Sequence, residues 1–157
     1  MNARGSGPMM PSRRGLLLGT MWSGLALTVI VGVVPLIDLA TADTLYAHVQ
    51  HAYPHWPSNL VRGDRNAITI ALEINAGLGV LTRLFTTWAV ARGKSWVRRA
   101  VTVAFVVGTG LAMIDYSFTG GQYDTVLPHA YGALGLLPSL AGLAAVAMLW
   151  RRRTAAS

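Results

Sequence analysis

Arg92-Gly93-Lys94-Ser95-Trp96-Val97-Arg98-Arg99 carries four cations and no anion, and a long apolar run leaves it in each direction. Toward the N-terminus the run covers about 67–90. Toward the C-terminus it covers about 100–116 and stretches to Phe118. A helix needs roughly 17–25 predominantly apolar residues to cross the hydrocarbon of a bilayer. A short cationic turn between two such runs predicts a hairpin of spanning helices whose turn stays on the cytoplasmic side, where Lys and Arg are enriched. The ends of the chain repeat the pattern. Arg4, Arg13 and Arg14 precede an apolar run over 16–37, and Arg151, Arg152 and Arg153 follow another over about 126–150. All six acidic residues and all four histidines lie in, or next to, the segments between these clusters. The expected fold is all-α: an integral membrane four-helix bundle, up and down, with both termini inside (N-in/C-in). Segments 39–66 and 117–125 are then outside.

Composition agrees. Only 12% of residues are charged, against about a quarter in soluble domains, and the mean hydropathy is +0.46. At 157 residues the chain suits a single membrane domain. The net charge of +7 does not point to nucleic acid, because the cations flank apolar spans and form no stripe interleaved with aromatics. Membrane lipids, with their anionic head groups, are the expected partners. Absence of cysteine excludes disulfides, thiolate metal sites and cysteine nucleophiles. Trp22, Trp88, Trp96 and Trp150 fall toward the inner interface, and Tyr46, Tyr53, Trp56, Tyr116 and Tyr123 toward the outer one, as in the aromatic belts of spanning proteins. Twelve of the thirteen basic residues are Arg, and Ala, Gly, Val and Leu abound, the habit of a GC-rich bacterial genome. The expected location is the bacterial inner (cytoplasmic) membrane, multi-pass. Ser12-Arg13-Arg14 with Ala40-Thr41-Ala42 resembles a twin-arginine signal and its cleavage site. The long apolar run and the three spans behind it favour an uncleaved first helix.

Each span carries a stripe of small residues, through which helices approach in lipid: Gly24, Thr28 and Gly32; Ala71, Asn75 and Gly79; Ala104, Gly108 and Ala112; Gly135, Ser139 and Gly142. These stripes are expected to pack within the bundle, with another membrane protein or a second copy of the chain as the competing occupant. Pro138 is expected to kink the fourth span and free a carbonyl near position 134.

Ionisable residues inside a span face the bundle interior or a wet cavity. Glu73, Asn75, Arg83, Asp115 and His129 are the candidate intramembrane polar site. For Glu73 the structural expectation is a hydrogen bond to His129 or Tyr131; the functional one is a proton-carrying carboxylate. Arg83 has no acidic residue near it along the chain. Its expected partners are backbone carbonyls, Thr82, Thr86, Thr87, water, or a phosphate, reached by snorkelling to the inner interface or by binding an anionic head group or substrate. A short interfacial helix is expected over 41–52, capped by Asp43 or Thr41, ended by Pro54, and with Leu45, Val49 and Ala52 on one side. His48, His51, His55 and His129 are a weak candidate metal set, since neutral imidazoles with Asp43 or Asp124 suit zinc or copper; an outward, solvated histidine face is the simpler expectation. The outer loop at 53–59 is rigid and aromatic, suited to capping the bundle. No cofactor is implied.

Two resemblances accompany these residues. Gly77-Leu78-Gly79-Val80-Leu81, then Trp88 through Trp96, then 134–144 ending in Trp150-Arg151-Arg152, resemble uncharacterised four-span membrane proteins of actinobacteria. That likeness implies a topology and no activity. The stretch from Glu73 through Gly77, Gly79 and Thr82 to Arg83 is similar to the second span of DoxX-type membrane proteins, which are linked to respiratory or redox-associated membrane complexes. Without a convergent catalytic set, the expected function is a non-catalytic accessory or partner-binding role. The alternatives are a small proton-coupled transporter using Glu73 with Arg83, and a lipid- or quinone-linked membrane enzyme.

Overall fold

A computed structural model describes residues 11–151. It contains five helices among them: α1 (Pro11–Ala40), α2 (Thr44–Ala52), α3 (Ser58–Ala91), α4 (Val97–Ser117) and α5 (His129–Trp150). Four are long and apolar enough to cross a membrane, over Arg14–Ala40, Ser58–Ala91, Val97–Ser117 and His129–Trp150; α2 is a shorter helix outside that set. The four long helices form a ring in the order α1, α3, α4, α5, so that sequence neighbours are also neighbours in space. α1 packs on both α3 and α5, and α4 packs on α5; the α3–α4 contact is the slightest side of the ring.

The α3–α4 turn shows why the cationic stretch bends where it does. Gly93 adopts φ 63, a left-handed conformation that costs glycine little. This lets Gly93 N donate to Val90 O at 3.0 Å and Lys94 N to Ala89 O at 3.2 Å, closing the helix as a Schellman motif. Three arginines of the basic clusters gather at the same end. Arg14 donates to the Ala91 carbonyl, Arg92 lies over the Trp88 ring at 5.4 Å, and Arg98 lies over Trp150 at 4.8 Å. Trp150 Nε1 also donates to Thr102 Oγ1 at 3.0 Å. Arg4, Arg152 and Arg153 lie outside the described residues.

Two apolar clusters close the ends of the bundle. At the basic end, Leu17 and Met21 of α1, Ala89 and Val90 of α3, Val97 and Val101 of α4, and Ala145 and Leu149 of α5 bury one another. At the far end, Leu45 and Val49 of α2 meet Val61 and Ile68 of α3 and Leu127 of the last loop. The outward surface is the reverse of a soluble protein's: Leu81, Val106 and Leu140 are each more than 60% exposed, among many exposed large apolar side chains on the long helices, a surface that suits hydrocarbon.

Several boundaries differ from the sequence expectation. α3 begins at Ser58, directly after Pro57, about nine residues before the expected span. Its first turns carry Arg62, Asp64 and Arg65, which hide the helical period from a hydropathy reading, although Val61 and Ile68 continue the buried face. α5 begins at His129, because Pro128 holds the chain extended before it. The start of α2 is capped by neither Asp43 nor Thr41. Asp43 sits at the N-cap position in a left-handed conformation and makes no side-chain cap. Asp38, in the last turn of α1, does the capping: its carboxylate accepts from Thr44 N at 3.2 Å, Thr44 Oγ1 at 2.9 Å and Leu45 N at 3.4 Å. Asp43 is turned instead to Arg65, in an ion pair of 3.0 Å that ties the α1–α2 corner to α3.

Candidate functional site: a cavity between the spans

Between the two apolar clusters the ring encloses a cavity of about 410 Å³, within the range of roughly 300–1,000 Å³ typical of small-molecule sites. The small-residue stripes explain it. On α1 the stripe is a packing seam: a Cβ on Gly32 would lie 2.8 Å from Ala76 Cβ, and one on Gly79 would lie 3.1 Å from Thr28 Cγ2. The α4 stripe of Ala104, Gly108 and Ala112, and on α5 Gly135 and Ser139, line the cavity. A Cβ added at Gly108 or Gly135 meets nothing within 4 Å. Small residues there leave space rather than close it.

Of the candidate polar set, the fold brings three residues to this cavity. Asn75, Arg83 and Asp115 line it; Glu73 and His129 do not. Asn75 Nδ2 donates to Asp115 Oδ2 at 3.1 Å and so links α3 to α4 at the outer end. Arg83 lies eight residues further along α3, about 12 Å down the axis at 1.5 Å per residue. Its guanidinium does not snorkel down to the inner interface. It crosses the bundle, and Nη2 donates to the Pro138 carbonyl of α5 at 2.5 Å. A backbone carbonyl is thus its partner, one of the groups expected for it. Gly24 of α1 makes room for this reach, since a Cβ there would overlap Arg83 Nη1 and lie 3.1 Å from Ala141 Cβ. An Arg at a helix centre costs roughly 2.5–3.5 kcal/mol on insertion scales, and one carbonyl bond offsets only part of that.

Glu73 bonds to neither His129 nor Tyr131. It shares a helical face with Thr69, Ala76 and Val80, and its Oε1 is buried with no hydrogen-bond partner among the described residues. Tyr131 instead approaches Thr44 Oγ1 at 3.4 Å, while His129 is exposed and meets Tyr116 edge-on at 6.0 Å.

The four histidines do not come together. No group of three or more His, Cys, Asp or Glu residues arranged to hold a metal occurs among the described residues. His51 and His55 are exposed, as expected of a solvated face, but His48 is partly buried. Its Nε2 sits 2.9 Å from Thr125 O, and its ring stacks on Tyr123 at 5.4 Å. Tyr123 donates to Asp64. Burial, and then this bond and the Asp64 charge, push the Tyr123 hydroxyl above its ordinary value, so it stays a donor. Tyr53 stacks on Trp56 at 3.8 Å and accepts from Gln122 N at 3.2 Å. Together these contacts stitch α2, α3 and the last loop into a cap over the outer mouth.

The sequence did not point to Asp38 or Gly24 as working residues. Asp38 acts across a left-handed turn that no spacing rule announces, and Gly24 reads as one more member of a packing stripe. No family model, curated protein or solved structure matches this chain.

Proposed function

We propose that this protein is a non-catalytic accessory protein of the bacterial cytoplasmic membrane, with both ends inside, and that it works by holding a lipid-soluble guest in the cavity between its spans. One observation carries the reading: the cavity lies between two apolar clusters and is weakly walled between α3 and α4. There Leu78, Val107 and Leu111 line it and are also exposed, by 56%, 55% and 43%. A site bordered by apolar clusters and edged by exposed Leu and Val side chains suits a guest drawn from the bilayer. The spread of its polar groups supports binding over catalysis, because the Asn75–Asp115 pair and Arg83 sit at opposite ends rather than converging on one reacting atom. Transport is the second reading, favoured by a carboxylate on the cavity wall; that carboxylate is Asp115 rather than Glu73, which lies outside the cavity.

Native mass spectrometry of protein extracted from its own membrane in mild detergent tests the binding role. The wild type should carry a bound amphiphile, and the Gly108→Leu/Gly135→Leu double variant, whose added Cβ atoms meet open space, should lose it while keeping its helical content. Equal occupancy in the two proteins, or none in the wild type, contradicts the proposal.

A further inference from the structure

We infer that Arg83 anchors an anionic oxygen head group, so that the guest of the cavity is an anionic amphiphile whose tail leaves between α3 and α4. This rests on the cavity-binding reading above and names the chemistry of its guest.

Among the described residues, Arg83 is the only cationic side chain lining the cavity. A guanidinium stays protonated in proteins, so its charge is permanent. It forms no ion pair: the one ion pair among the described residues joins Arg65 to Asp43. Asp115, the one carboxylate lining the cavity, is held by Asn75, about 12 Å away along α3. A charge taken out of water without a counter-ion is unfavourable unless something compensates it, and here the protein supplies only the Pro138 carbonyl. Of five N–H donors, one is used on the described residues.

The group is also held in place. The Pro138 carbonyl fixes one side of the fork, and the missing side chain of Gly24 gives the other side its room. A planar fork set in this way suits a carboxylate or a phosphate oxygen pair, which guanidinium binds through parallel hydrogen bonds. Ser139, next to Pro138 on the cavity wall, adds a hydroxyl. From this depth the apolar way out runs past Leu78, Val107 and Leu111 into lipid, a path for an alkyl chain and not for a soluble anion.

The full-length protein in nanodiscs of phosphatidylcholine should be titrated with dodecanoate, dodecyl phosphate, dodecanol and phosphatidylglycerol, with binding read by native mass spectrometry. The expected result is at least tenfold tighter binding of an anionic probe than of dodecanol. Preference for the dodecyl anions identifies a free single-chain amphiphile as the source; preference for phosphatidylglycerol identifies a bilayer lipid head group. Arg83→Gln should erase the preference yet still bind dodecanol, and Arg83→Lys should keep part of it. If dodecanol equals the anions on the wild type, a comparison that needs no variant, the inference is overturned while cavity binding stands. Preference surviving in a folded Arg83→Gln protein overturns it as well. If no probe binds, both readings fall together.

Discussion

Gly132→Ala should destabilise the bundle by about 1–3 kcal/mol, the cost of overpacking a close contact, and Gly132→Val by more. Gly132 is buried where α5 meets α4. A Cβ there would lie 2.9 Å from Tyr116 Cα and 2.9 Å from Tyr116 Cδ2. The first of these atoms is backbone, so no rotamer change relieves the overlap; α4 and α5 must separate. Tyr116 follows Asp115 on α4, so the separation should also disturb the Asn75–Asp115 bond across the cavity. Gly135→Ala, three residues further along the same helix, is the control. Its Cβ meets nothing within 4 Å, and its stability should stay within about 0.5 kcal/mol of the wild type, as for changes away from tight contacts. Unfolding in mild detergent titrated with dodecyl sulfate measures both. Equal loss at the two positions would show that the helix itself, not the α4–α5 contact, sets the effect.

The second large effect is expected at Gly32, on the α1–α3 seam. Its added Cβ would lie 2.8 Å from Ala76 Cβ, and alanine has no rotamer with which to yield. Gly32→Ala should therefore also cost about 1–3 kcal/mol, and Gly32→Leu should wedge the two helices apart. The pair offers a sharper test than either residue alone. Ala76→Gly removes the atom in the way, so the Gly32→Ala/Ala76→Gly double variant should be more stable than the sum of the single effects predicts. Positive coupling of roughly 0.5 kcal/mol or more is the signature of direct contact in a double-mutant cycle. Strict additivity in the same dodecyl sulfate titration would mean that these two residues do not touch.

Most of the helical layout is legible in the sequence, for a physical reason. A bilayer demands long apolar helices, and the cationic turn at 92–99 marks a hairpin without any knowledge of packing. Even so, α3 begins earlier than its apolar run, because the helix continues through the polar residues Arg62, Asp64 and Arg65. Hydropathy reports where lipid begins, not where hydrogen bonding begins. The site was less legible. Asn75, Arg83 and Asp115 stand out as polar residues among apolar ones, but so does Glu73, and only the rotation of α3 distinguishes those lining the cavity from the one outside it. The small-residue stripes are the clearest case. Gly32 and Gly108 look alike in sequence, each one of a run of small residues spaced by four. In the folded chain Gly32 admits a neighbouring helix while Gly108 leaves a void, a difference set by what stands opposite. The expectation of an outward histidine face on α2 missed at His48 because that side of the helix is roofed by Tyr123 and Thr125 from a loop more than seventy residues away.

Cavity, anchor and lateral opening all depend on one arrangement: four helices across a bilayer, with the arginine-rich turns at the inner face. The chain has no cysteine, so single cysteines can report it directly. In intact cells, a membrane-impermeant maleimide should label cysteine placed at Asn59 or Gln122 and should reach cysteine at Lys94 only after the membrane is permeabilised. Labelling at Lys94 in intact cells, or release of the protein into the soluble fraction without detergent, would contradict the account.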